Sequence, residues 1–183
     1  MARLILVTGG TRSGKSEHAR TVAEALPGPR SFVATCQAVD DEMRERIRRH
    51  QQERLKSDWD TIEEPLELAD VLRKHEKVNV FLVDCLTLWV NNIMYRAHQQ
   101  GQTFSEEQLT SRADELVQVC AGITGTVIMV TNEVGSGIVP DNHDARLFRD
   151  LMGKCNQIMA RSADEVILVA CGLPLTLKNG RTR

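Results

Sequence analysis

What the 183-residue sequence lacks narrows its class before any motif is considered. No C-x-x-C pair occurs, and the cysteines are an odd set of five, Cys36, Cys85, Cys120, Cys155 and Cys171. That scatter argues against a disulfide framework or a thiolate zinc site and fits a reducing, cytoplasmic setting. No stretch approaches about 18 consecutive apolar residues, so no membrane span is expected. The short apolar run at the N-terminus leads straight into a glycine-rich loop and does not read as a signal peptide. A formal charge of −2 supplies no global attraction to nucleic acid or to a membrane surface. Internal repeats and low-complexity tracts are absent, and nothing marks a second domain. One domain over 1–183 is therefore expected, long enough to bury roughly 70% of the surface its unfolded chain exposes.

What is present is a phosphate-binding signature. Gly9-Gly10-Thr11-Arg12-Ser13-Gly14-Lys15-Ser16 fits G-x-x-x-x-G-K-[ST]. It follows the apolar run Leu4-Ile5-Leu6-Val7 and precedes a good helix former, Glu17 to Leu26, which is the strand-loop-helix context the motif requires. Glycines let the backbone wrap a phosphate with N–H groups turned inward, and the helix N-terminus adds positive dipole. Lys15 is placed to reach the β- and γ-phosphates, and Ser16 to offer its hydroxyl to Mg²⁺. These residues predict nucleoside triphosphate binding.

The remaining chain alternates strand and helix patterns. Ser31 to Thr35 reads as a strand, Asp41 to about Leu55 as a helix, Trp59 to Pro65 as a connector, and Leu66 to His75 as a helix. Val78 to Asp84 reads as a buried parallel strand whose terminal acid is a Walker-B type partner for Mg²⁺. Helices follow at about Leu86–Gln99 and Glu106–Ala121. Then come a strand at Thr126–Thr131, a glycine-containing loop at Asn132–Asp141, a helix to Ser162 and a strand at Glu165–Ala170. Gly172 and Pro174 read as breaks, Leu175–Leu177 as a short edge strand, and the tail from Lys178 as mobile. The alternation predicts an α/β fold: a single P-loop NTPase domain, RecA-like, with a mostly parallel central sheet and helices on both faces. Ligands in such sheets bind beyond the carboxyl ends of the strands. Gly9–Ser16, Thr35 to Gln37, Asp84, Asn132 and Glu133 should then share one rim.

The helix from Asp41 carries a second cluster. Met43, Ile47 and His50 fall on one stripe, and Arg46 and Arg54 flank His50 at i−4 and i+4. Two guanidiniums disfavour the imidazolium, leaving a neutral nucleophile beside fixed positive charge, as attack on a phosphate requires. Spacing alone also admits a solvated, arginine-rich helix whose histidine borders the core.

The phosphate loop together with Ala34-Thr35-Cys36-Gln37 resembles the adenosylcobinamide kinase/adenosylcobinamide-phosphate guanylyltransferase family. So, in order, do Asp41-Glu42-Met43, Arg46-Ile47, His50, Trp59-Asp60-Thr61-Ile62-Glu63, Val83-Asp84-Cys85-Leu86-Thr87, Thr131-Asn132-Glu133-Val134-Gly135-Ser136-Gly137-Ile138-Val139-Pro140, and Arg146, Phe148-Arg149-Asp150, Asn156-Gln157. The similarity runs from residue 4 to about 177. It implies two reactions of cobalamin assembly. ATP or GTP phosphorylates adenosylcobinamide; GTP then passes GMP to a histidine, matched by His50, and on to adenosylcobinamide phosphate. In some relatives a second histidine precedes that position, where this chain has Arg49. Cys36 stands where relatives often have Ser or Ala. The resemblance further implies Lys15 and His50 as catalytic, and Ser16 and Asp84 around Mg²⁺. Nucleotide contacts are implied at Gly9, Gly10, Thr11, Arg12, Ser13, Gly14, Thr35, Cys36, Gln51, Arg54, Glu63 and Asp84, and the implied assembly is a homotrimer.

Other histidines read as bland: His18 structural or at the surface, and His75, His98 and His143 exposed. Cys85 reads as core packing. Asn132 and Glu133 stand open as substrate or metal contacts. Two other functions remain, a generic P-loop kinase or ATPase without guanylyl transfer, and a GTP switch. The switch would carry the Asn/Thr-Lys-x-Asp base-reading motif seen in GTPases, and none is present.

Overall fold

Apolar residues sorted between two faces build the sheet. The computed structural model describes residues 3–36, 59–75 and 78–180. In β1 (Arg3–Gly9), Leu4 and Leu6 enter one core while Ile5 and Val7 enter the other. β4 (Val80–Asp84) and β5 (Thr126–Val130) divide their side chains the same way. Successive side chains of a strand point to opposite faces, so a strand sandwiched between helices must be apolar throughout. Each such fully buried Leu, Ile or Phe contributes about 1.5–3 kcal/mol, an upper figure since denatured chains are already partly collapsed.

Seven strands form one sheet in the order β3-β2-β4-β5-β1-β6-β7, where β2 is Arg30–Ala34, β3 Trp59–Glu63, β6 Glu165–Ala170 and β7 Leu173–Asn179. All pair in parallel except β7, which is antiparallel to β6. On one face lies α1 (Lys15–Glu24), whose Ala19 and Ala23 are wholly buried; small side chains there let its backbone approach the sheet. Arg30 donates to the carbonyls of Ala23, Glu24 and Leu26, satisfying the C-terminal groups of α1. The other face carries α2 (Leu68–Lys74), α3 (Leu86–Gln99), α4 (Glu106–Gly122) and α5 (His143–Ser162). Ser105 and Gln108 form a reciprocal capping box that starts α4, and Asn142 caps α5 through the Ala145 N–H. No described helix is long and apolar enough to cross a membrane.

Four expectations need correction. Trp59–Glu63 is a strand, not a connector, paired with β2 and packed through an edge-to-face Phe32–Trp59 contact at 6.4 Å. The short strand expected at Leu175–Leu177 is seven residues long, Leu173–Asn179, with Pro174 inside it. Pro174 is tolerated because β7 is an edge strand. Lys178, read as tail, lies in that strand and donates to the Ala160 and Arg161 carbonyls. His75 is half-buried rather than exposed, bonded to the Val71 carbonyl at 2.8 Å. The helix expected over Asp41 to Leu55 lies outside the described residues.

Candidate active site at the carboxyl edge of the sheet

Strand register builds one row of residues across the sheet. Val7 pairs with Val130, Val130 with Asp84, Asp84 with Ala34, and Ala34 with Glu63. Neighbouring strands are about 4.8 Å apart, so Asp84 stands about 10 Å from the level of Val7, with the loop beginning two residues further on. One strand, β5, separates them. Glu63 lies three intervening strands from β1, at the far end of the same edge, and is exposed.

The loop itself is shaped by close backbone approach. A Cβ on Gly9 would collide with the Val169 carbonyl and would lie 2.6 Å from Ser13 Oγ. Gly14, at φ +92°, caps α1 in the left-handed conformation, and a Cβ there would lie 3.2 Å from Gly172 Cα. Arg12 also has positive φ, +58°. Cys171 and Gly172, at φ +53° and +79°, form the two-residue turn between β6 and β7, as a type I′ hairpin requires. That turn is tied to the loop by a bond from the Gly172 N–H to the Ser13 carbonyl at 2.8 Å. Lys15 folds back to donate to the Gly10 carbonyl at 3.1 Å. Gly10, Thr11, Arg12 and Ser16 are exposed, whereas Ser13 is buried and its hydroxyl has no partner among the described residues.

Thr35 corrects a sequence expectation. It is wholly buried, and its hydroxyl both donates to the Cys85 carbonyl at 2.8 Å and accepts from the Cys85 N–H at 2.7 Å. Its carbonyl accepts from Asn92 Nδ2 at 2.7 Å. Thr35 therefore fastens the end of β2 to the turn after β4 and does not present a side chain to a nucleotide. Cys36, half-buried, follows at that edge. Burial, and then the neighbouring Asp84 charge, push the Cys85 thiol up to about 11. At neutral pH it stays protonated, so it is neither a nucleophile nor a soft metal ligand.

Between β1 and β4 sits a polar network that sequence reasoning found only in part. Glu133 Oε1 accepts from Thr8 Oγ1 at 2.7 Å and from Asn156 Nδ2 at 3.2 Å. The Glu133 N–H reaches the Gly9 carbonyl at 3.3 Å. Asn156 Nδ2 also donates to the Asn132 carbonyl, while its Oδ1 accepts from Thr131 Oγ1 at 2.7 Å. Thr87 Oγ1 accepts the Asn132 N–H at 3.0 Å, and Asn132 Oδ1 is buried with no partner among the described residues. Asn132 and Glu133 were expected at this rim. Thr8 was not singled out, and Asn156 was quoted only as part of the resemblance, with no role at the site; it sits beside the buried Met152, Cys155 and Met159 of α5, a polar residue bordering an apolar stripe.

The structure thus gathers the phosphate loop, Asp84 and Glu133 at one edge and leaves Glu63 at its far end. His50, Gln51 and Arg54, together with Gln37 and Arg46, lie outside the described residues. Two surface depressions are lined by none of these groups, one by Gln157, Ala160, Arg161 and Lys178 and the other by Leu72, Arg73, His75 and Gln118 among others.

Comparison with known proteins gives these features a context. Residues 5–177 match the family described as cobinamide kinase / cobinamide phosphate guanyltransferase. The bifunctional adenosylcobalamin biosynthesis protein CobU of Escherichia coli strain K12 is 38% identical over 187 residues, covering 96% of this chain and 99% of that protein. Its Salmonella typhimurium counterpart is also 38% identical, over 189 residues, with the same two coverages. The bifunctional adenosylcobalamin biosynthesis protein CobP of Pseudomonas aeruginosa is 37% identical over 174 residues, covering 94% of this chain and 96% of that one. Among solved structures, an ATPase from a bacterial type III secretion system aligns with TM-score 0.56 at 15% identity, covering 92% of this chain and 51% of that one. A second solved ATPase domain aligns with TM-score 0.50 at 12% identity, covering 91% of this chain and 69% of that one. These last two bear on the fold alone, and agree with a RecA-like P-loop architecture.

Proposed function

This chain belongs to the cobinamide kinase / cobinamide phosphate guanyltransferase family, and from that premise we propose that it carries out both transfers with the residues assigned as follows. The phosphate loop holds ATP or GTP, and Lys15 neutralises charge on the γ-phosphoryl group as it passes to the hydroxyl of adenosylcobinamide. In the second reaction a ring nitrogen of His50 attacks the α-phosphorus of GTP. The bond to the β-phosphate breaks and pyrophosphate leaves. A phosphate oxygen of adenosylcobinamide phosphate then displaces the histidine, giving adenosylcobinamide-GDP. Gln51, Arg54, Glu63 and Cys36 are assigned as nucleotide contacts on the resemblance alone. The observation that carries the reading is the β1–loop–α1 phosphate site with Asp84 one strand away, in a chain whose family match spans His50 as well.

Mg²⁺ suits the donors at this edge. Ser16 is an exposed hydroxyl in the first turn of α1, and Asp84 is a half-buried carboxylate at the end of β4. Both are hard oxygen ligands, and the neighbouring Cys85 thiol remains protonated. Among the described residues no group of three or more His, Cys, Asp or Glu could hold a metal. The proposed ion would be held by one carboxylate, one hydroxyl and the nucleotide's own phosphates. Bound there, the ion would offset developing charge on the transferred phosphoryl group.

A reducing, cytoplasmic setting is part of the reading and is supported by five free thiols. A homotrimer is expected from the resemblance, with a light-scattering mass three times the chain's 20.5 kDa.

The test is incubation with α-labelled GTP and Mg²⁺ followed by denaturing electrophoresis. Wild-type protein is expected to retain an acid-labile, alkali-stable label, with none from γ-labelled GTP, and His50→Ala to retain none. A His50→Ala protein that still acquires acid-labile GMP refutes the assignment and directs attention to His18.

A further inference from the structure

The carboxylate of Glu133 has more structure around it than a strand-end tie requires. It lies three residues beyond β5, which runs between β1 and β4, and precedes a short 3-10 turn at Val134–Ser136. Its main-chain N–H is bonded to Gly9, the first loop residue. Both side-chain hydrogen bonds fall on the same oxygen: Oε1 accepts from Thr8 and from Asn156. Oε2 carries no hydrogen bond among the described residues. The donors are themselves immobilised. Thr8 is buried, and Asn156 is held through both ends of its amide by Thr131 and by the Asn132 carbonyl.

A purely structural acceptor for Thr8 and Asn156 needs no charge, because a glutamine oxygen would serve both donors. The charge is also not neutralised locally. The charged residues on the surrounding elements include Arg12 and Lys15 of the loop, Asp84 on β4, and Asp144, Arg146, Arg149, Asp150, Lys154 and Arg161 on α5. Lys15 donates to Gly10; Arg146 holds the Pro140 and Asp141 carbonyls, and Arg149 the Gly135 carbonyl. No ion pair to Glu133 occurs among the described residues. An unpaired carboxylate beside a triphosphate loop works against ground-state nucleotide binding, so a role in the transfer itself accounts better for its presence.

Resting on the kinase reading above, we propose that Glu133 is the catalytic proton acceptor of the phosphoryl transfer, and that Thr8 and Asn156 are positioning residues that aim its second oxygen. The substrate hydroxyl oxygen bonds to the γ-phosphorus while the bond from that phosphorus to the β,γ-bridging oxygen breaks. The bond's electron pair leaves with the nucleoside diphosphate, and the hydroxyl proton passes to Glu133 Oε2 and then to solvent. Positioned proton acceptors contribute about 10²–10⁴-fold in rate.

The experiment follows phosphorylation of adenosylcobinamide from γ-labelled ATP by the full chain with Mg²⁺. Glu133→Gln keeps both hydrogen-bond acceptances and is expected to fold. Its kcat is expected to fall about 100-fold or more, with the nucleotide KM within about threefold of wild type. Glu133→Ala is expected to recover activity with added formate, a small carboxylate base, and not with chloride. Asn156→Leu, which frees Oε1 of one donor, should lower kcat by about tenfold without changing the nucleotide KM. A Glu133→Gln enzyme with near-normal kcat, a rise in KM alone, or a Glu133→Ala enzyme that formate does not rescue overturns the assignment. Failure of the wild-type chain to phosphorylate adenosylcobinamide refutes the kinase reading itself, so the two failures are distinguishable.

Discussion

Replacing Thr35 by valine separates a residue that touches the nucleotide from one that holds the edge of the sheet together. The two side chains have nearly the same shape, so no cavity opens; what disappears is one hydroxyl at a wholly buried position. That hydroxyl serves both main-chain groups of Cys85. The Cys85 carbonyl keeps another partner, the Trp89 N–H at 3.1 Å, but the Cys85 N–H loses its acceptor and is left buried. An orphaned buried donor costs about 1–3 kcal/mol. For a chain of this size, each kcal/mol at the midpoint corresponds to about 2–4 °C, so Tm should fall by about 2–12 °C. Differential scanning calorimetry with saturating and absent nucleotide measures this directly. The destabilisation should be the same in both, because the lost bonds do not involve the ligand. Nucleotide KM should change little. A Thr35→Val protein with wild-type Tm and a raised nucleotide KM would refute the reasoning and return Thr35 to the nucleotide contacts.

Other predictions follow from the loop and the thiols. Gly9→Ala forces a methyl group against the Val169 carbonyl and Ser13 Oγ and should cost about 1–3 kcal/mol, whereas Gly10→Ala, with nothing within 4 Å of its added methyl, should stay within about 0.5 kcal/mol of wild type. Equal urea midpoints for the two variants would contradict the close packing of β1 on β6. Burial pushes the Cys85 thiol to about 11 and those of Cys120 and Cys155 to about 12, from an ordinary 9.0. The unfolded chain therefore releases these protons first as pH rises. Their contribution to stability is complete below about 9 and is lost progressively toward about 12. Urea unfolding at pH 8 and pH 10.5 should show the loss, and Cys155→Ala should reduce it; a slope unchanged by that substitution would argue against the buried thiol as its source. Under native conditions at pH 8, iodoacetamide should label the exposed Cys171 and spare these three.

The phosphate loop was legible in sequence because its signal is local. Eight residues, an apolar run before them and a helix former after them fix backbone shape, dipole and charge without help from the rest of the chain. β1, β4 and β5 were equally plain, since burial on both faces leaves an unbroken apolar run. So was the helix α5 running to Ser162. β3 was missed because an edge strand covered on one side need not be apolar; Trp59–Glu63 becomes a strand by pairing with β2. β7 was underestimated for the same reason, its length following from the turn at Cys171–Gly172 and pairing with β6. Thr35 stood at the right edge in sequence, yet only packing turned its hydroxyl inward to Cys85. Glu133 was visible as a polar residue ending a strand, but its meeting with Thr8, 125 positions earlier, and Asn156, 23 positions later, could not be read from spacing. Local sequence therefore determined the strand, glycine-rich loop and helix of the phosphate-loop motif. Tertiary structure decided which polar groups stand beside that loop, because strand order and register, set by the whole sheet, bring those residues together.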